Sequence, residues 1–186
     1  MPAAGWARRL AATLLLIAPF AAQAQTARQP VAEERIDELG VEWTYRETAD
    51  EIDGRWEVLV VARMFMPGPS SGAFLGLHCT EGAGYLLSVH APGWSFADAP
   101  RPTLLMRIDL AEPMEVPFIR DPEARGLAHL DSADGRARRL LDLLAAARQR
   151  VVMRSQTGVT VTIPLGAPRT ELDQAFRRCG EINPGR

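Results

Sequence analysis

The chain has no lysine: all 21 of its basic residues are arginine. With the abundant alanines, that bias is what a GC-rich bacterial coding sequence produces, and it explains the composition better than selection for bidentate anion contacts. Cysteine is nearly as scarce. The two residues, Cys79 and Cys179, both lie far from the N-terminus, so a lipoprotein anchor has no attachment point. The three histidines, His78, His90 and His129, show neither H-x-x-x-H nor H-E-x-x-H spacing, so no metal site and no cofactor is expected. Long apolar runs are missing beyond residue 20. The run before it, Leu10 to Phe20, is shorter than the roughly 20 residues that cross a bilayer. An excess of positive charge is missing too, which argues against a nucleic-acid binder.

What is present at the N-terminus has the order of a cleavable secretory signal, residues 1–24. Arg8 and Arg9 precede the apolar run, and the small residues Ala22 and Ala24 flank Gln23 at the cleavage point. Taking 24 residues from 186 leaves 162, the size of one domain of about 100 to 200 residues. The expected division is therefore signal peptide (1–24), linker or short helix (25–40) and a single domain (41–186). The expected destination is the periplasm, with secretion beyond it as the alternative. The exported part holds 19 arginines and 23 acids, a charge of −4, split as −7 over residues 25–100 and +3 over 101–186. That asymmetry marks either a basic surface on the later half or two halves that neutralise each other on folding.

Glu33, Glu34, Asp37 and Glu38 cluster around Ile36 and Leu39, which reads as a short helix at the end of the linker. A period-two pattern follows. Trp56, Val58, Val60, Ala62, Met64 and Met66 alternate with Glu57, Leu59, Val61, Arg63 and Phe65, a strand with one apolar face ended by Pro67, Gly68 and Pro69. The next strand, 73–80, places Ala73, Leu75, Leu77 and Cys79 on one face and Phe74, Gly76, His78 and Thr80 on the other. Residues 85–91 return as its hairpin partner, further strands are read over 103–110 and 114–119, and Pro117 weakens the second of these. Ala137, Leu140, Leu141 and Leu144 then fall at helical spacing, with Asp131, Ser132 and Asp134 as capping candidates. A second hairpin spans 151–165. The last helix is read as capped by Thr170 and Asp173 and ended by Gly180, with Leu172, Ala175, Phe176 and Cys179 as its apolar stripe. The fold class expected is α+β: a mainly antiparallel sheet with the two C-terminal-half helices packed on it.

Cys79 lies on the apolar face of a strand and Cys179 on the apolar stripe of a helix, so a strand and helix that pack together bring them into reach. Export supplies an oxidising compartment, and a disulfide is the expected state. Two free buried thiols, or a metal pair, are the alternatives, and two thiols without neighbouring histidines make a poor zinc site.

Candidate chemistry is thin. Residues 68–72 spell G-x-S-x-G around Ser70, but a strand follows them where a nucleophile elbow needs a helix. Asp131 to Gly135 hints at a calcium loop but lacks the ligand spacing and the distal glutamate. Glu112 with Glu115, or Asp121 with Glu123, are carboxylate pairs of the kind that do acid and base work on sugars. Contact residues are the remaining candidates: Arg136, Arg139 and Arg148 from the arginine-rich stretch that also holds Arg138, Arg150 and Arg154, and Trp94 in a Pro/Gly loop.

The succession of a signal peptide, Leu77-His78-Cys79, a hairpin, Arg107-Ile108-Asp109, an apolar helix, a strand pair, and Leu172 through Phe176 to Cys179 resembles the small periplasmic VasI-like proteins associated with type VI secretion. The resemblance spans residues 56–179. It departs from the family in lacking a tryptophan soon after Arg107-Ile108-Asp109 and in its long Pro-rich loop from Pro92 to Pro102. It implies the two-cysteine frame, a strand carrying R-x-D, and a final short helix ending in cysteine. The function it implies is that of a non-enzymatic binding or accessory protein of an envelope or secretion machine, whose partner is another envelope protein. A small envelope hydrolase using Ser70 or a carboxylate pair, and an inhibitor of a wall-degrading enzyme, are the alternatives.

Overall fold

The computed structural model describes residues 30–37, 39–65, 72–94, 96, 99–124, 126–130, 136–166 and 169–184. Residues 1–24, read above as a signal, Ser70 with Gly68, and Asp131 to Gly135 lie outside the described residues; Gly72 lies within them. Among the described residues ten strands form one antiparallel sheet: β1 (Val31–Ile36), β2 (Val41–Ala49), β3 (Trp56–Met64), β4 (Ala73–Thr80), β5 (Gly84–His90), β6 (Thr103–Ile108), β7 (Met114–Arg120), β8 (Leu127–Leu130), β9 (Arg150–Arg154) and β10 (Thr160–Pro164). The helices are α1 (Arg136–Ala146) and α2 (Thr170–Ile182). The α+β class and the antiparallel sheet follow the sequence pattern, with the sheet dominating.

The strand order is β1-β2-β3-β4-β5-β8-β7-β6-β9-β10. The first five strands run as a meander. The chain then jumps to β6 and works back, so that β8 closes against β5. Curvature of the sheet brings β10 towards β3 and β4, which encloses the core. Both helices pack on that inner face, where Leu144 of α1 and Leu172 and Phe176 of α2 meet Trp43, Val60, Leu75, Leu77 and Leu87 around a void of only about 10 Å³. Alternation places each strand's apolar set inward: Val58, Val60 and Ala62 on β3; Ala73, Leu75, Leu77 and Cys79 on β4; Leu104, Met106 and Ile108 on β6.

Cys79 and Cys179 form the disulfide, with a Cα–Cα distance of 5.9 Å and a sequence separation of 100. It fastens α2 to β4, while two ion pairs fasten α2 to the other end of the sheet. Arg35 on β1 donates from Nε and Nη2 to Glu171 at 2.6 and 2.8 Å, and Arg178 pairs with the buried Glu47 of β2. These links explain why residues 31–36 form a strand where the local pattern suggests a helix. Pairing with β2 along all six residues, plus the tie to α2, outweighs a weak local preference.

Three other local details differ from the sequence reading. The residue preceding α2 is Arg169, which makes no side-chain cap to that helix, and Thr170 is its first helical residue. Gly180 lies inside α2, which runs on to Ile182 because Ile182 still has core to cover. Arg169 instead turns back to α1, donating to the Leu144 and Ala145 carbonyls at 2.8 and 2.5 Å and so satisfying the end of that helix. Pro117 sits inside the sheet without cost. The neighbouring Phe118 N–H points to the β6 side, towards the Pro102 carbonyl, so the Pro117 nitrogen faces the β8 side, where the pairing among the described residues runs from Phe118 to Arg120.

The R-x-D triplet serves as a joint. Asp109 has a left-handed backbone (φ 50°), and its carboxylate accepts the N–H groups of Arg148, Gln149 and Arg150 at 2.6, 2.8 and 2.9 Å. It thereby anchors the segment that joins α1 to β9. Burial works against its charge, but the three N–H groups outweigh it and hold the carboxyl below its ordinary value.

Candidate functional site

Because Cys79 points inward, His78 points outward, and the pairing register carries this alternation across the sheet. Thr44, Val61, Gly76, Ser88, His129 and Ile119 form one outward row across β2, β3, β4, β5, β8 and β7. Arg46, Leu59, His78 and Leu86 form the next row. All three histidines thus share the face opposite the helices. His90 stacks on Phe74 with ring centroids 5.4 Å apart and its Nδ1 lies 2.9 Å from the Gly126 carbonyl oxygen, while His78 Nε2 lies 3.7 Å from the Glu57 carboxylate.

Over the second row, reaching Ser88 on one side and Thr48 and Glu57 on the other, lies an open groove of about 320 Å³ lined by Arg46, Thr48, Glu57, Leu59, His78, Leu86 and Ser88. Arg46 is exposed and has no ion-pair partner among the described residues. The two other large hollows are less suited to a ligand. One, of about 390 Å³, lies on a single face of α2 at Thr170, Asp173, Gln174 and Arg177; the other, of about 270 Å³, is lined by Thr103, Leu105, Glu115, Arg154, Ser155 and Gln156. Neither includes a histidine.

Ser88, at the edge of the groove, belongs to a hydrogen-bonded chain. Its Oγ is 2.8 Å from Nδ1 of His129, and Nε2 of His129 is 3.1 Å from Oδ2 of Asp121. The other Asp121 oxygen, Oδ1, accepts the N–H groups of Glu123 and Ala124 at 2.8 and 3.0 Å, which fixes the turn between β7 and β8. The Glu123 N–H first, and His129 second, hold the Asp121 carboxyl below its ordinary value. An ionised carboxylate only accepts, so Nε2 of His129 carries the proton and, in the neutral ring, Nδ1 presents its lone pair to the Ser88 hydroxyl.

The residues singled out in the sequence fall elsewhere. Trp94 is 4% exposed, packs against Phe96 and donates from Nε1 to the Val159 carbonyl at 3.3 Å, so it is a core residue rather than an exposed contact. Its loop folds inward because an indole gains more from burial than the polar loop gains from solvent. Arg136 and Arg139 are exposed on α1, where Arg136 Nη1 donates to the Glu115 carbonyl at 3.0 Å. Arg148 lies beyond the helix end and donates from Nη1 to the Ala147 carbonyl at 2.9 Å. Asp121 meets His129 through its side chain and Glu123 through the backbone N–H. Among the described residues no cluster of three or more His, Cys, Asp or Glu could hold a metal, and no helix is long and apolar enough to cross a membrane. Compared with known proteins, the chain matches no family model, no curated protein and no solved structure.

Proposed function

We propose that the chain is an exported protein of the bacterial envelope that acts by binding, as an accessory to an envelope or secretion machine, and that its partner sits on the outward sheet face around Arg46, Leu59, His78 and Leu86. The groove carries this reading. It combines apolar floor residues with an arginine that has no ion-pair partner among the described residues, on a face opposite both helices. An unpaired guanidinium beside the exposed Leu86 and the half-buried Leu59 is suited to an acidic group next to an apolar one on the partner, another envelope protein. The signal-like residues 1–24 and the disulfide between the only two cysteines support an oxidising, extracytoplasmic destination.

A photo-crosslinking side chain introduced at Leu86, compared with one at the fully exposed Ile52 of the β2–β3 turn, tests the surface. One defined adduct from Leu86 in intact cells, lost when Arg46→Glu is added, is the expected result. Equal or absent crosslinking at the two positions overturns the reading. N-terminal sequencing of the mature protein tests the export step, for which Gln25 is the expected first residue.

A further inference from the structure

We infer that Ser88 is a nucleophilic serine, activated by His129 and oriented through Asp121, and that the groove beside it takes a small ester or other activated acyl group. This goes beyond binding and does not depend on it. The three side chains come from three places brought together only by the fold: β5, β8 and the turn after β7. Their order is that of an activated nucleophile, with hydroxyl, imidazole and carboxylate joined at 2.8 and 3.1 Å. All three are partly exposed at the sheet surface, and Ser88 also lines the groove, so a substrate can reach it.

A purely structural role explains the geometry less well. Asp121 Oδ1 already holds the turn, and backbone pairing of Ser88 with His129 already joins β5 to β8. The side-chain relay adds something the fold does not require, a lone pair of His129 directed at a hydroxyl on an open surface. Gly76, opposite Ser88 on β4, has no side chain to cover it. The acyl group's apolar part fits against Leu59 and Leu86, and His78 on the neighbouring strand β4 lines the same groove.

In the reaction, Ser88 Oγ forms a bond to the acyl carbon while its proton passes to Nδ1 of His129. The bond to the leaving oxygen breaks, and that oxygen takes the proton from Nδ1. Water then attacks the acyl-serine in the same way, giving up one proton through His129 to Ser88 as the acid is released. Asp121 is a positioning residue throughout, keeping the proton on Nε2.

A fluorophosphonate probe tests the site on the full oxidised chain. Attack by Ser88 expels fluoride and leaves a phosphonylated serine, which peptide mass analysis locates. Ser88 is expected to carry the label and Ser88→Ala to abolish it. Asp121→Asn keeps Oδ1 for the turn but replaces Oδ2 with an amide that cannot accept from Nε2, so the folded variant should label slower by on the order of 10²-fold. Asp121→Glu should restore part of the rate. A folded wild-type chain that gives no Ser88 adduct, or an Asp121→Asn variant that labels at the wild-type rate, overturns the inference. Neither outcome alters the crosslinking result expected of the binding surface.

Discussion

Replacing Asp109 by alanine removes the acceptor for three consecutive N–H groups and leaves in the left-handed backbone a residue without the polar side chain that makes aspartate tolerable there. A hydrogen bond to a charged group contributes about 1.5 to 3 kcal/mol when well shielded. These three share one carboxylate near solvent, and water replaces part of what is lost, so about 2 to 3 kcal/mol for the set is the appropriate scale. The left-handed conformation adds roughly 1 kcal/mol for alanine, giving about 3 to 4 kcal/mol in total. Asparagine separates the contributions. It tolerates the backbone, and its amide oxygen can still accept from Gln149 and Arg150 in place of Oδ1, so only the Arg148 bond and the charge are lost, about 1 to 1.5 kcal/mol. Urea unfolding with an unchanged m-value reads both numbers. Acid gives a second check, because the folded carboxyl is depressed below its ordinary 3.8. The charge's contribution is complete above that ordinary value and is lost as pH falls through the lower folded one. The gap between wild type and Asp109→Asn should therefore narrow in acid. Alanine and asparagine variants equal in stability to within about 0.5 kcal/mol would refute the proposed joint.

The disulfide closes a separation of 100 residues, so its reduction, or Cys79→Ser with Cys179→Ser, should cost up to about 4.7 kcal/mol in the chain-entropy picture. Urea unfolding with and without reductant measures this, and two free thiols in the oxidised protein would contradict the link. The chain's only two tyrosines should both resist ionisation: burial first and the neighbouring Glu47 second push Tyr45 up to about 12, and burial raises Tyr85. A group whose folded value is raised stabilises fully below its unfolded value of about 10 and loses that contribution as pH climbs through the folded one, so the alkaline loss from Tyr45 should extend towards pH 12. Ultraviolet difference absorbance should show no phenolate at the ordinary value until the fold opens, and a tyrosine titrating there in the folded protein would refute its burial.

Much of the inner face could be read from alternation alone. Trp56 to Met64 and Ala73 to Thr80 place apolar side chains at every second position, and an isolated strand must bury that side wherever it goes. The same logic turns Cys79 inward and His78 outward. β2 is harder to read because the charged Glu47 interrupts its buried set, a position made tolerable by the distant Arg178 and by the Tyr45 hydroxyl, which donates to its carboxylate. β1 carries too little apolar surface to declare itself, and β8, at four residues, is too short for a period. Trp94 was ambiguous for a related reason: an indole in a polar loop has no partner in its own neighbourhood, and Val159, 65 residues away, supplies one.

The candidate site divides along the same line. Residue types and strand faces were settled locally, since side-chain direction follows from backbone geometry one residue at a time. Which outward residues became neighbours depended on the chain's return from β6 through β7 to β8 and the choice of β5 as partner. That choice reflects burial summed over the whole sheet. Ser88 and His129, 41 residues apart, meet through this long-range pairing, and Asp121 reaches them from the turn it helps to hold.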